Sequence, residues 1–135
     1  YLLFNRDAPI VKAVAANPAF VTIPDKNILY PFGLKGVANS DKNIKSWVNK
    51  DMAILLGEDD LGSRTKPLSN GQMARDQGPN CLTRGKLLYS KTKTKAEELG
   101  FDFNWELITV PGVGHDNYKL APFASIYLFG DEEEK

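Results

Sequence analysis

Residues 52–56 constrain the fold most, because they form the run MAILL, five apolar residues with no polar residue between them. A strand with one face in water alternates polar and apolar residues, whereas a strand covered on both faces need not. Gly57 ends the run. The run therefore predicts an inner strand of a parallel sheet that carries helices on both faces.

The rest of the chain repeats this alternation of short apolar runs with longer helical segments. Strands are predicted over residues 10–16, 52–56 and 105–110, and for the first of these a short helix remains open. Four helices are predicted: over residues 1–7, from Asp41 with Ser40 as the N-cap, over residues 82–99, and over residues 120–129. Gly100 is expected to end the third helix, and Pro122 is expected in the first turn of the fourth. A polar loop is predicted over residues 58–80. This order predicts an α/β fold with about three parallel strands flanked by helices.

Bulk composition excludes some classes of protein. The 135 residues suit one domain or a portion of one, and residues 131–135 form an acidic tail. Lys+Arg and Asp+Glu both total 17, so the zero net charge gives no support for nucleic-acid binding. No apolar run reaches the roughly 18 residues of a membrane span. The single cysteine, Cys81, excludes an internal disulfide, and nothing indicates a compartment.

Chemically active side chains follow two of the predicted strands. Glu58, Asp59 and Asp60 come directly after Gly57, and His115, the only histidine, follows the third strand through a glycine-rich turn. The carboxyl ends of parallel strands lie at one edge of a sheet, where ligands bind. An acid and a histidine at this edge predict two members of a nucleophile–histidine–acid triad.

Other interpretations of the same residues stay open. Glu58, Asp59 and Asp60 suit a solvated turn or a Mg²⁺ site in an α/β domain, because Mg²⁺ prefers carboxylate oxygens. His115 suits a surface position. Cys81 lies at a predicted helix start, where a thiol becomes more acidic. It follows a loop and lies between the acids and the histidine, so a structural role is favoured over a nucleophile.

Two segments resemble those of a known family. ILLGEDD (residues 54–60) and VPGVGHD (residues 110–116) are similar to the acid and histidine segments of α/β-hydrolases, closest to bacterial esterase or lipase-like enzymes related in outline to polyester depolymerases. The family's chain order is nucleophile, acid, histidine. The resemblance extends over nearly the whole chain, including AANP (residues 15–18) and YPFG (residues 30–33).

The resemblance implies a role for each candidate residue. Asp60 matches the triad acid, with Asp59 as the fallback, and His115 matches the general base. Glu58 is expected to face solvent or brace the turn. The reaction implied is carboxylic-ester hydrolysis of a small-molecule ester, with no metal and no organic cofactor.

One element of the family pattern does not occur in the chain. There is no Gly-x-Ser-x-Gly motif around any serine: Ser40, Ser46, Ser63, Ser69, Ser90 and Ser125. The resemblance then implies that residues 1–135 are the C-terminal portion of a single hydrolase domain, inactive alone, with its nucleophile in an N-terminal half upstream of Tyr1. A non-catalytic binding domain of the same fold is the alternative.

Overall fold

The computed structural model describes Phe4, residues 8–62 and residues 71–130. Within them the strands are β1 (Lys12–Ala16), β2 (Asp51–Gly57) and β3 (Trp105–Val110), and the helices are α1 (Ser40–Asn49), α2 (Gln72–Arg75), α3 (Cys81–Leu99) and α4 (Asn117–Phe129). The strands form one sheet in the order β1-β2-β3, and both pairings are parallel. The predicted fold class is confirmed.

The central strand β2 is covered on both faces. Ile54 and Leu56 belong to an apolar cluster with residues of α1 and α3. Leu55, between them, belongs to a second cluster with Leu120 of α4. Because successive side chains of a strand point to opposite faces, α1 and α3 cover one face of the sheet and α4 covers the other. This double burial explains why MAILL does not alternate.

Aromatic side chains fix α1 against β3. The rings of Trp47 and Trp105 meet edge to face with centroids 4.9 Å apart, and the indole N–H of Trp105 donates to the Trp47 carbonyl over 3.1 Å. Phe4 packs on Trp47 at 5.6 Å. Aromatic pairs of this kind stabilise the fold beyond the effect of the apolar area that they bury, so these rings anchor α1 in the core.

The boundaries of α1 and α3 only partly follow the prediction. Ser40 as N-cap is wrong: Ser40 is the first residue of α1, and Asn39 precedes it at φ 55° with no side-chain capping bond. Asparagine tolerates this left-handed conformation, so the helix begins one residue early. Gly100 ends α3 at φ 69°, as predicted.

The start of α4 is also corrected. The helix begins at Asn117 rather than Leu120, because the Asp116 side chain accepts a hydrogen bond from the Lys119 N–H over 3.2 Å. Pro122 therefore lies in the second turn and not the first. Without an N–H it cannot donate to the Tyr118 carbonyl one turn back.

Two further boundaries differ from the predictions. Strand β1 begins at Lys12 rather than residue 10, because Lys12 pairs with Asp51, the first residue of β2. Within the predicted loop, Gln72–Arg75 forms the short helix α2. The predicted terminal helix (apart from Phe4), residues 63–70 of the loop and the acidic tail lie outside the described residues. No helix among the described residues is long and apolar enough to cross a membrane.

Candidate active site

The site lies where β2 and β3 end side by side. Gly57 and Val110, their last residues, pair in the sheet. Beyond them the backbone pairing continues: the Glu58 N–H donates to the Val110 carbonyl over 3.0 Å, and the Asp59 N–H donates to the Val113 carbonyl over 2.9 Å. We name residues 58–62 the acid loop and residues 111–116 the histidine loop. These bonds hold the two loops together.

Asp60 and His115 meet across these loops. The Asp60 Oδ2 lies 2.7 Å from the His115 Nδ1. The Asp60 side chain is 2% exposed and the His115 side chain is 36% exposed, so a buried acid supports an accessible ring. A carboxylate only accepts hydrogen bonds, so a His115 ring bonded to it through Nδ1 would donate from that nitrogen and, in the neutral form, keep the lone pair on Nε2.

Gly57 permits the close approach of the two loops. A Cβ atom at this position would lie 2.3 Å from the Val113 carbonyl oxygen and 2.6 Å from that of Gly114. Only a glycine fits against the histidine loop here. The glycine before the acids therefore has a packing role as well as ending the strand.

Asn17 ties the end of β1 to the end of β2 and to the histidine loop. It is buried, and its backbone has φ 42°. Its Oδ1 accepts from the Gly57 N–H over 3.0 Å, and its Nδ2 donates to the Gly114 carbonyl over 3.2 Å. No role was predicted for Asn17, although its position directly after a strand, at the same sheet edge, was visible in the sequence.

The other two acids point elsewhere. Glu58 is exposed, and its Oε1 accepts from the Thr109 hydroxyl over 2.8 Å, so it braces the turn and faces solvent. Asp59 is exposed, whereas Asp60 holds the ring. Among the described residues these three carboxylates do not form a cluster that could hold a metal ion. The geometry therefore gives no support to the Mg²⁺ alternative.

Cys81 lies beside the Asp60–His115 pair. A carboxylate oxygen of Asp60, the Cys81 Sγ and a ring nitrogen of His115 all lie within 4.8 Å of one another. Cys81 is buried and begins α3, and the Leu82 N–H donates to the Asp60 carbonyl over 3.4 Å. The sequence placed Cys81 between the acids and the histidine, but it gave no sign that the thiol would contact this region.

Two buried polar side chains connect the segment after β1 to the segment before α3. The Gln77 amide exchanges two hydrogen bonds with the Val21 backbone, of 2.9 and 2.6 Å. The Arg84 guanidinium donates to the Gly78 carbonyl over 2.8 Å and to the Ala19 carbonyl. Gln77 lies in the predicted loop and Arg84 in the predicted helix over residues 82–99, and neither position gave a signal for these contacts, which depend on tertiary structure.

A cavity of about 1050 Å³ lies elsewhere on the chain, between the segment around residues 23–35 and α3. Ile23, Ile44 and Leu87 contribute apolar walls, and Lys91 contributes a cation. Neither Asp60 nor His115 lines it. The size of this cavity therefore does not define the candidate site.

Two solved structures similar to this chain are hydrolases. Poly(aspartic acid) hydrolase-1 from Sphingomonas sp. KT-1 aligns with a TM-score of 0.84 and 34% identity, over 91% of this chain and 47% of that chain. LpqC, a poly(3-hydroxybutyrate) depolymerase from Bordetella parapertussis, aligns with a TM-score of 0.85 and 30% identity, over 96% of this chain and 44% of that chain. Neither a protein-family model nor a curated protein matches significantly.

This chain thus spans slightly less than half the length of the structures that it matches. The predicted resemblance is confirmed: the chain has the fold of α/β-hydrolase-type enzymes and resembles their C-terminal half.

Proposed function

We propose that this chain supplies the acid and the base of a Ser-His-Asp triad in an α/β-hydrolase that cleaves carboxylic esters. The observation that carries the proposal is the 2.7 Å contact between the buried Asp60 carboxylate and the His115 Nδ1. An acid that holds Nδ1 leaves Nε2 to accept a proton from a nucleophile. The neighbour that acts on poly(3-hydroxybutyrate), a polyester, supports an ester as the substrate.

In the proposed reaction, a serine outside this chain attacks the ester carbonyl while His115 Nε2 takes its proton. Asp60 keeps the ring oriented and stabilises the imidazolium that forms. Nε2 then donates the proton to the departing alcohol, which leaves an acyl-serine. Water attacks the acyl-serine by the same route, with Nε2 again accepting and returning a proton. His115 is the catalytic base and Asp60 acts through it.

The nucleophile is proposed to come from an N-terminal half of the same domain. Four serines are described: Ser40 and Ser46 in α1, Ser90 in α3 and Ser125 in α4. None of them follows a strand, whereas the nucleophile of this fold lies on a tight strand-to-helix turn. A serine contributed by another segment completes the triad.

An exposed apolar stripe on α4 supports the proposal that another segment packs against this helix. Phe123, Ile126 and Phe129 are 41%, 51% and 81% exposed. Their spacing of three residues makes them neighbours on one side of the helix. Helix α4 packs on β1, which is the strand at one edge of the described sheet. We propose that the N-terminal half pairs with β1 and covers this stripe, so that residues 1–135 are the C-terminal portion of one domain and are inactive alone.

Placing a charge on this stripe tests the proposed packing. Phe123→Asp in the protein that includes the N-terminal half is expected to lower the free energy of unfolding by about 2–3 kcal/mol, because it buries an unpaired carboxylate. The control is Leu99→Asp, since Leu99 is 42% exposed and lies at the end of α3 on the other face. It should cost less than about 1 kcal/mol in urea unfolding. Equal losses in the two variants would contradict the packing.

The choice of acid tests the catalytic proposal. Asp60→Asn is expected to lower kcat for a p-nitrophenyl ester by about 10³–10⁴-fold with little change in KM, because an amide no longer selects the Nδ1–H tautomer. The matched control is Asp59→Asn, one residue away and exposed, which should keep kcat within about threefold. If Asp59→Asn is the more damaging variant, the acid is assigned to the wrong residue. If both variants turn over normally, the triad proposal fails.

A further inference from the structure

Cys81 adds a third metal-ligating side chain to the Asp60–His115 pair, and the proposed hydrolysis makes no use of it. The three ligand atoms lie within 4.8 Å of one another, and both Asp60 and Cys81 are buried. They come from three separate elements: the acid loop, the start of α3 and the histidine loop. A carboxylate, a thiol and an imidazole that converge in this way form a set of metal ligands.

This donor set selects the type of metal. Thiolate, imidazole and carboxylate are all zinc ligands, whereas Mg²⁺ and Ca²⁺ prefer oxygen donors. Zinc bonds of about 2.0–2.3 Å put neighbouring ligand atoms roughly 3.3–3.8 Å apart in a tetrahedral site. The Asp60–His115 contact of 2.7 Å would open slightly, and any separation near the 4.8 Å limit would close by about 1 Å. Side-chain rotation can supply shifts of this size.

We propose that Asp60, Cys81 and His115 bind Zn²⁺, with His115 contributing Nδ1, and that zinc binding and catalysis exclude each other. When zinc binds, the Cys81 thiol loses its proton to solvent and binds the metal as a thiolate. The position of Cys81 at the N-terminus of the 19-residue helix α3 favours the thiolate. Three protein ligands leave a fourth position for water.

The block on catalysis follows from the histidine tautomer. When Nδ1 binds zinc, the ring proton resides on Nε2. An Nε2 that already carries a proton does not accept one from a serine, so zinc removes the general base without touching the nucleophile. This inhibitory effect rests on the proposed function, whereas the metal site itself does not.

Binding is tested with Co²⁺ as a spectroscopic substitute for zinc, in the protein that also contains the N-terminal half. One equivalent of Co²⁺ is expected to produce a thiolate-to-cobalt charge-transfer band and the visible bands of a tetrahedral site, and Zn²⁺ should displace them. Cys81→Ser and Cys81→Ala should both lose the charge-transfer band and at least about 100-fold in affinity, or about 2.7 kcal/mol. Asp59→Asn should keep the spectrum, because its carboxylate lies outside the cluster.

Inhibition is read as the ratio of ester turnover with and without Zn²⁺ within each variant, so that changes in basal rate cancel. Added Zn²⁺ should lower ester turnover at least about tenfold in the parent protein and less than about twofold in the Cys81 variants. No charge-transfer band in the parent protein, or an unchanged band in both Cys81 variants, overturns the metal site. If the protein forms a band that depends on Cys81 but does not hydrolyse esters, the metal site is supported and the proposed function is wrong. Turnover that zinc leaves unchanged while the band forms overturns the mutual exclusion.

Discussion

His115→Ala is expected to lower kcat/KM for ester hydrolysis by about three to six orders of magnitude in the protein that supplies the serine. Alanine removes the group that accepts and returns the proton in the transition state. The loss should therefore appear in kcat more than in KM. Steady-state kinetics with a p-nitrophenyl ester measures both parameters.

Two comparisons show whether this loss reflects the proposed pair. Lys119→Ala, an exposed change four residues away, should keep kcat/KM within about twofold. The double variant Asp60→Asn/His115→Ala should be no slower than His115→Ala alone, because Asp60 acts only through the ring. Additive losses would show that Asp60 has a separate role. A His115→Ala variant that retains more than about a tenth of normal turnover would contradict His115 as the general base.

Gly57→Ala is expected to destabilise the protein by about 3 kcal/mol or more and to displace the histidine loop. The added Cβ would meet the carbonyl oxygens of Val113 and Gly114 at 2.3 and 2.6 Å. These are backbone atoms and cannot rotate away, so the loop itself must move. A displacement of about 1 Å near the reacting groups costs roughly 100-fold in rate. Urea unfolding and ester turnover of the same preparation measure the two effects.

Gly114→Ala is the matched control for this glycine. Its Cβ would lie 3.7 Å from the Asp59 carbonyl oxygen, an ordinary contact, although the residue belongs to the same pair of loops. It should cost less than about 1 kcal/mol. If the two substitutions are equally destabilising, the close approach at Gly57 does not determine the position of the histidine loop.

The sheet was predictable because its signals are local. An apolar run without alternation is enough to indicate a strand buried on both faces, and the glycine after it marks the end. The three strands follow from such short apolar runs, and the end of the long helix α3 follows from Gly100. The start of α4 could not be predicted from such signals. Pro122 indicates a later helix start, but the Asp116 capping bond determines the boundary.

The site was only partly predictable. Chain order placed an acid and His115 at one edge of the sheet, but choosing Asp60 over Asp59 depends on a turn that tertiary contacts shape. The Asp59 N–H binds the histidine loop, and this leaves Asp60 facing the ring. The arrival of Cys81 beside the pair and the amide bonds of Asn17 join segments far apart in sequence, for which one sequence carries no local signal. The roles of Asp60 and His115 in catalysis remain predictions.

The amide of Asn17 has a consequence for the motions of this region. The Asn17 side chain bonds both to Gly57, directly before the acid loop, and to Gly114 of the histidine loop, and the Asp59–Val113 bond joins the two loops to each other. Segments that share their restraints unfold locally as one cooperative unit rather than separately. The acid and the base are therefore expected to open together, in one local unfolding event.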